Sequence, residues 1–420
     1  MISSLKNRLL SALMNVIFLR HALRIWARVW MRRRAQAVLK TDRKLRVAFI
    51  LADAAVWKFD HTYNLLKTSP EFDPIIWIWT NQYKDADKME GCMQLCRSRG
   101  YSFTNASEWS EGEIIEEYKK VSFLFFSTPY SWASPAVFFQ IRRKDRPFHC
   151  YVPYAFNVSD LTQQQYGEWF FQNLDIHFHP SDLHRKIHVG EGDWPWVKEV
   201  VSGYPGIEPF AFTEGECNTK KPIIIYAPHH TISYENNFNL SYATFEHFGE
   251  FLKALALETK EQVDWVFKPH PLLYNKLLIH PEWGKEKTHK YYAFWEDNAR
   301  CEDGDYVELF KSARGMIHDS GSFLAEFLAT GQPVMYLLDE HNTQPRLNEF
   351  GFLCLKQCYL GRSTVEIRRF VQEVILQGDD AMKDERVNFI RSEEYGQRHQ
   401  SSSEMIVDSI RGFLGVRKKG

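Results

Sequence analysis

Short apolar runs separated by amphipathic stretches recur along this chain. Leu45–Leu51, Phe72–Trp79, Val121–Ser127, His149–Pro153 and Leu174–Phe178 are five to eight residues long and rich in β-branched and aromatic side chains. Runs of that length and composition read as buried strands. Helical spacing fills the gaps, with one helix starting at Thr62 and another over Lys88–Arg99, and Val200–Gly203 closes this half. The stretch SGYPGIEPFAFTEGECNTKKP, rich in Gly, Pro and polar residues, reads as a linker. Alternation resumes with a strand at Ile223–Tyr226, a helix over Thr244–Ala256 and a strand at Val263–Phe267. A helix (306–313), a short strand (315–317), a polar turn (318–322), a helix (323–329) stopped by Gly331 and a strand (334–338) follow. Continuous apolar strands alternating with helices build parallel sheets covered on both faces. The expected fold is therefore α/β, with two Rossmann-like parallel-sheet domains facing across a cleft. The first spans 42–205 and the second 222–360, and helices in 361–420 cross back to the first.

Charge changes the picture at the amino end. Lys and Arg total 52 against 53 Asp and Glu, yet no acidic residue precedes Asp42, and residues 1–41 hold nine Lys or Arg. A basic segment is thus joined to a body with 43 basic and 53 acidic groups. Arg20, Arg24, Arg28 and Arg32 recur every four residues, while Leu19, Leu23, Ile25, Trp26, Val29 and Trp30 occupy the other faces. That pattern predicts an amphipathic helix lying in an anionic membrane interface, peripheral to the cytoplasmic face of the cell membrane. A transit segment or a plain solvated helix would share the composition. No apolar run is long enough to span a bilayer. The acidic body excludes nucleic-acid binding. Seven cysteines without a repeated CxxC suit structural thiols in a reducing cytoplasm, and neither a metal nor a cofactor is expected.

The polar segments cluster at strand ends, where parallel sheets collect ligands. Donor-side candidates are Tyr226, Pro228, His229 and His230, then Lys268 and His270, then His318, Asp319, Ser320, Gly321 and Ser322. Imidazoles, a lysine, hydroxyls and a helix start together suit a phosphate. Trp57, Tyr154 and Asn157 are the acceptor-side candidates, and Asp60 and His61 in the first strand-end loop are candidates for the base, with His177 and His179 behind them. His270 is a further catalytic candidate. The plain alternatives are helix caps, a turn histidine and a solvated loop pair.

Four ordered segments carry a resemblance. Gly203-Tyr204-Pro205-Gly206-Ile207-Glu208 is similar to a GYPRND-like segment, and Tyr226-Ala227-Pro228-His229-His230-Thr231 to a YAPTWR-like one. Lys268-Pro269-His270-Pro271 and His318-Asp319-Ser320-Gly321-Ser322, the latter followed by Gln332-Pro333-Val334, complete the set. On these the chain resembles the CDP-glycerol glycerophosphotransferase family, the teichoic-acid primases and polymerases of the two-lobed GT-B class. The resemblance implies transfer of a glycerophosphate-type or glycosyl group from a nucleotide-activated donor, CDP-linked in that family, to a lipid-linked or polysaccharide acceptor. The family's Trp-His-Gly-Thr-Pro segment should fall near Tyr151–Asn157, where this chain has no histidine, and the arginine of the GYPRND-like segment is replaced by Gly206. A nucleotide-sugar glycosyltransferase and an inactive membrane-docked nucleotide-binding protein are the alternative functions.

Overall fold

The computed structural model describes residues 17–39, 44–80, 86–130, 133–162, 169–211, 221–232, 242–302, 306–339, 345–396 and 399–415. The chain divides into two compact units. One is drawn from residues 1–154, 163–206 and 398–420, the other from 155–162 and 207–397.

The first unit is built on seven parallel strands: β1 (Leu45–Leu51), β2 (Phe72–Ile78), β3 (Phe103–Asn105), β4 (Phe123–Phe126), β5 (Phe148–Tyr151), β6 (Ile176–His179) and β7 (Lys198–Val201). Their order is β3-β2-β1-β4-β5-β6-β7. Alternation along each strand feeds both faces. Val47, Phe49 and Leu51 of β1 join Phe125 and Phe178 in one core, and Ala48 and Ile50 join Trp77, Leu124 and Phe126 in the other. The first of these cores also takes Ile406, Val407, Ile410 and Leu414 from the helix Ser402–Leu414. Arg411 of that helix donates to Glu71 and Ser69, and Thr62 pairs with Ser403.

The amino-terminal helix, α1 (Ile17–Leu39), is partly built into this unit. Its buried contacts come from Ala27, Met31 and Ala35. Arg34 donates to the fully buried Asp175 at 2.9 Å, which Arg143 and Arg146 also approach at 3.5 and 3.6 Å. Ile25, Trp26 and Val29 remain 51%, 61% and 46% exposed, so a partly apolar strip faces outward beside exposed Arg24 and Arg32. The side chains of Arg20 and Arg28 lie outside the described residues. No helix among the described residues is long and apolar enough to cross a membrane.

In the second unit β8 (Ile223–Ala227), β9 (Asp264–Phe267), β10 (Arg300–Cys301), β11 (Ala313–His318), β12 (Val334–Leu337) and β13 (Tyr359–Gly361) form a parallel sheet. Their order, β10-β9-β8-β11-β12-β13, is again that of a Rossmann sheet, with the first and fourth strands of the unit side by side. Helices α4 (Phe245–Thr259), α5 (Pro271–Ile279) and α6 (Gly284–Asn298) pack their apolar sides on Ile224, Tyr226 and Phe267.

Two boundaries differ from expectation. Residues 155–162 belong to the second unit, because Ser159 bridges to Leu347, Asp160 pairs with Arg346 and Phe156 stacks on Phe350. Residues 361–397 also stay there, since Ile367, Phe370 and Val371 join its core, and only 398–420 goes with the first unit.

Candidate functional site

In an open parallel sheet the strand order reverses at one point, and ligands collect outside the carboxyl ends of the strands there. In the second unit that point lies between β8 and β11. The loops leaving three neighbouring strands, β9, β8 and β11, are Lys268-Pro269-His270, Pro228-His229-His230 and His318 to Ser322. The rings of His229, His230 and His270 lie 4.1 to 5.2 Å apart, centroid to centroid.

Asp319 fixes this rim. It is fully buried and accepts from the His229 N–H at 2.6 Å, the Thr244 N–H at 2.6 Å and the Thr244 hydroxyl at 2.9 Å. Burial pushes its carboxyl up to about 6, and the three donors oppose that rise. The His270 N–H donates to the Pro228 carbonyl at 3.0 Å, tying the β9 loop to the β8 loop.

The hydrogen bonds also choose the tautomers. His270 Nδ1 accepts from the Leu272 N–H at 3.1 Å, capping α5 ahead of Pro271, so its ring proton sits on Nε2. Thr231 Oγ1 accepts from the N–H groups of Tyr242 and Ala243, so its own proton goes to His229 Nδ1, 3.0 Å away. His318 Nδ1 accepts from the Ser320 N–H at 3.0 Å. Burial, the largest cause for each, holds these rings below the ordinary histidine range: well below for His229, to about 4 for His230, and to about 3 for His270 and His318. Lys276 adds to the effect at His229, His230 and His270. At neutral pH His229 and His270 are thus neutral Nε2–H donors. Their lone pairs face N–H and O–H donors, which suits an anion and disfavours a metal ion at this trio.

The remaining donor-side candidates divide by burial. Ser320 and Ser322 are half-buried, and Ser320 makes no capping bond, whereas Tyr226, Pro228, Lys268, His318, Asp319 and Gly321 are buried. Tyr226 packs on Phe267 and Trp295 and is a core residue. The helix expected over 323–329 is α7 (Gly321–Glu326), only six residues long, continuing as a 3-10 turn to Thr330 and ending at Gly331 with φ 77°. So short a helix lends the turn little dipole. A Cβ at Gly321 would make only ordinary contacts with Tyr242 and Val158.

Beside His270 a cavity of about 520 Å³ opens, lined by Tyr274, His289, Tyr292 and Glu296. The edge-to-face pair Tyr274 and Tyr292 (4.8 Å) gives it an aromatic wall. Sequence reading missed these residues. The signal was their spacing, since 289, 292 and 296 recur on one side of α6.

The first unit treats its candidates differently. Asp60 accepts from Trp57 Nε1 at 2.8 Å, the Tyr101 hydroxyl at 2.5 Å and Arg99 at 2.5 Å. Both carboxylate oxygens are thus already engaged by donors from its own unit. Trp57 is buried among Phe49, Phe59, Tyr63 and Tyr101, and so belongs to the core. His61 is exposed. Tyr154 shares a hydroxyl contact with Tyr130, and its carbonyl accepts from Tyr204 at 2.6 Å. Asn157 lies in the second unit, where its side chain accepts from the Ser159 N–H. Gly206 sits beneath the Tyr204 ring, where a Cβ would come within 2.4 Å of the ring, so an arginine there would displace Tyr204. His177 and His179 meet His188 and Glu199 at the β6–β7 edge, away from β1.

Two Rossmann-ordered parallel sheets, one in each unit, define the GT-B class of α/β proteins. Among solved structures the chain is similar to the Neisseria meningitidis UDP-GlcNAc 2-epimerase bound to UDP-GlcNAc, with 15% identity, TM-score 0.56, and coverage of 88% of this chain and 100% of that one. It is likewise similar to the wall teichoic acid polymerase TagF in a histidine-to-asparagine variant soaked with CDPG, with 12% identity, TM-score 0.57, and coverage of 96% and 98%. S. aureus MnaA in complex with UDP matches at 15% identity and TM-score 0.53, covering 90% and 98%. At these identities the likeness is one of fold. No protein-family model matches the chain, and no curated protein is detectably similar to it in sequence.

Proposed function

We propose that this protein is a transferase whose second unit binds the phosphates of a nucleotide-activated donor at the rim formed by His229, His230, His270, Ser320 and Ser322. The reading assigns transfer of a glycerophosphate-type or glycosyl group to a lipid-linked or polysaccharide acceptor in cell-surface polymer synthesis. The observation that carries it is the convergence of three loops from adjacent strands at the reversal point, with Nε2–H donors at His229 and His270. The nucleotide and nucleotide-sugar ligands of the structural neighbours support it.

The chemistry follows from the neutral rings. Donor phosphates accept from imidazole N–H groups, and their negative charge raises the basicity of those same rings. An acceptor hydroxyl then gives up its proton to water as its oxygen bonds to the transferred group, and the nucleotide leaves carrying the electron pair. His270, with its proton on Nε2, is the residue we assign to protonating the departing phosphate. The cavity lined by Tyr274 and Tyr292 takes the nucleobase. The exposed strip of Ile25, Trp26 and Val29 with Arg24 and Arg32 supports docking of α1 on an anionic membrane surface, which would present the lipid-linked acceptor.

Calorimetric titration of CDP-, UDP- and GDP-linked donors into the full-length protein tests the donor assignment. Micromolar binding of one class, weakened about tenfold by His270→Asn, is the expected outcome, and no binding by any class would reject it. Sedimentation with anionic vesicles tests the membrane assignment: Trp26→Ser with Val29→Ser should release the protein from them, and unchanged binding would remove that part of the proposal.

A further inference from the structure

A second cluster of histidines lies in the first unit, and its geometry differs from the rim. His177 and His179 are two apart on β6 and so share one face of the sheet. Glu199 on β7 is the register partner of His177. The helix Asp182–Glu191 crosses from β6 to β7 and supplies His188. All four come from 23 consecutive residues, a single strand-helix-strand unit at the edge of the sheet.

One ligand atom from each of the four lies within 4.8 Å of the others. Glu199 Oε2 is the common centre, 3.6 Å from His177 Nδ1, 3.6 Å from His188 Nδ1 and 2.5 Å from His179 Nε2. A tetrahedral zinc site with bonds of about 2.0–2.1 Å has ligand-to-ligand edges of about 3.3 Å. Two of the edges here are within a few tenths of that, and the third is a hydrogen bond that opens when an ion replaces its proton. The three imidazoles are buried, and the walls are apolar: the ring of Phe171 packs on His177 and His188, and that of Tyr151 on His177. Among the described residues Glu199 Oε1 has no hydrogen-bond partner, and such an orphaned buried atom is uncommon in a folded interior.

We propose that His177, His179, His188 and Glu199 form a closed, four-coordinate site for a divalent transition metal of the zinc type. Four protein ligands leave no open position for substrate, so the ion is structural. It staples the edge strand β7 and its crossover helix to β6. The assignment is independent of the donor-site reading, because it concerns the other unit and no reacting group.

The test is elemental analysis and cobalt spectroscopy on the full chain, stripped with a chelator and then repleted with Zn²⁺ or Co²⁺. One tightly held equivalent per chain is expected, with the visible bands of four-coordinate Co(II). Zinc should raise the Tm of the stripped wild type. Glu199→Gln keeps side-chain volume and should weaken binding by more than about a hundredfold, beyond the loss typical of an outer-shell partner, and it should abolish the zinc-dependent Tm shift. His188→Gln should do the same, and if it fails to fold, Glu199→Gln and the wild-type Tm shift still decide. The double variant His230→Gln/His270→Asn should keep the ion. Failure of the stripped wild type to take up either metal, or an equivalent kept by Glu199→Gln and lost from the rim double variant, would overturn the proposal.

Discussion

The two units share a strand order and use it in opposite ways. Around the reversal point of the second unit, a buried carboxylate organises backbone and leaves half-buried imidazoles at the rim. In the first unit, the acid after the first strand, Asp60, is consumed by Trp57, Arg99 and Tyr101, and the histidines gather at the far edge of the sheet instead. Topology therefore supplies a place for a ligand without obliging side chains to use it, and chemistry has to be argued from the residues at the strand ends.

The sharpest way to break this contrast is Asp319→Ala. It strands three buried donors at roughly 1–3 kcal/mol each, partly offset by removing a buried charge, so a loss of about 3 kcal/mol is expected in chemical denaturation, together with loss of nucleotide binding. Normal binding with normal stability would deny Asp319 its organising role.

In the first unit the matching experiment is Arg34→Met. Removing one member of a buried ion pair commonly costs about 3–5 kcal/mol, but Arg143 and Arg146 remain near Asp175, so about 2 kcal/mol is expected. Donor affinity should not change, and a coupled fall in both would mean that the units are not separable in this way.

His270→Asn comes next. Asparagine keeps the cap on α5 but not the imidazole, so Tm should move little while donor affinity falls about tenfold, near 1.4 kcal/mol. A large drop in Tm with unchanged affinity would reassign His270 to structure.

The smallest effect is on pH dependence. His230 and His270 titrate near 4 and 3 when folded, against an ordinary value of about 6.5 when unfolded. The unfolded chain takes up protons first as pH falls, so their contribution is complete above about 6.5 and is lost between there and about 3. A bound diphosphate favours the protonated rings, so the Tm increase caused by nucleotide should grow over the same window. A nucleotide effect that shrinks with acid would argue that the phosphates do not meet these histidines.

The strands were legible because runs such as Ile223–Ala227 are apolar on every residue, as buried parallel strands must be. The rim was legible for a related reason: histidines directly after such runs have to emerge at a strand end. What could not be read were partners fixed by tertiary packing. Asp60 meets Arg99 and Tyr101 only once β2 and β3 are side by side, and nothing near Asp60 in the sequence announces them. The cluster of His177 and Glu199 escaped for another reason. The spacing of the cysteines carries no metal signal, and this set depends on the register of two strands. Periodicity likewise does not show how α1 is held, because Ala27, Met31 and Ala35, small or flexible, make its buried contacts in place of the larger residues.

The helix Ser402–Leu414 completes the core that begins at Leu45, and Arg411 reaches back to Glu71 across 340 positions. During synthesis the first sheet must therefore wait, with Leu66 and Phe123 lacking their final cover, until residues 402–414 have left the ribosome. At about 5–20 residues per second that interval is roughly twenty seconds to a minute. Much of it is spent making residues 207–397, so the strands of the second unit emerge and pair while the first sheet is still open, and the earliest strands are the ones most in need of chaperone protection.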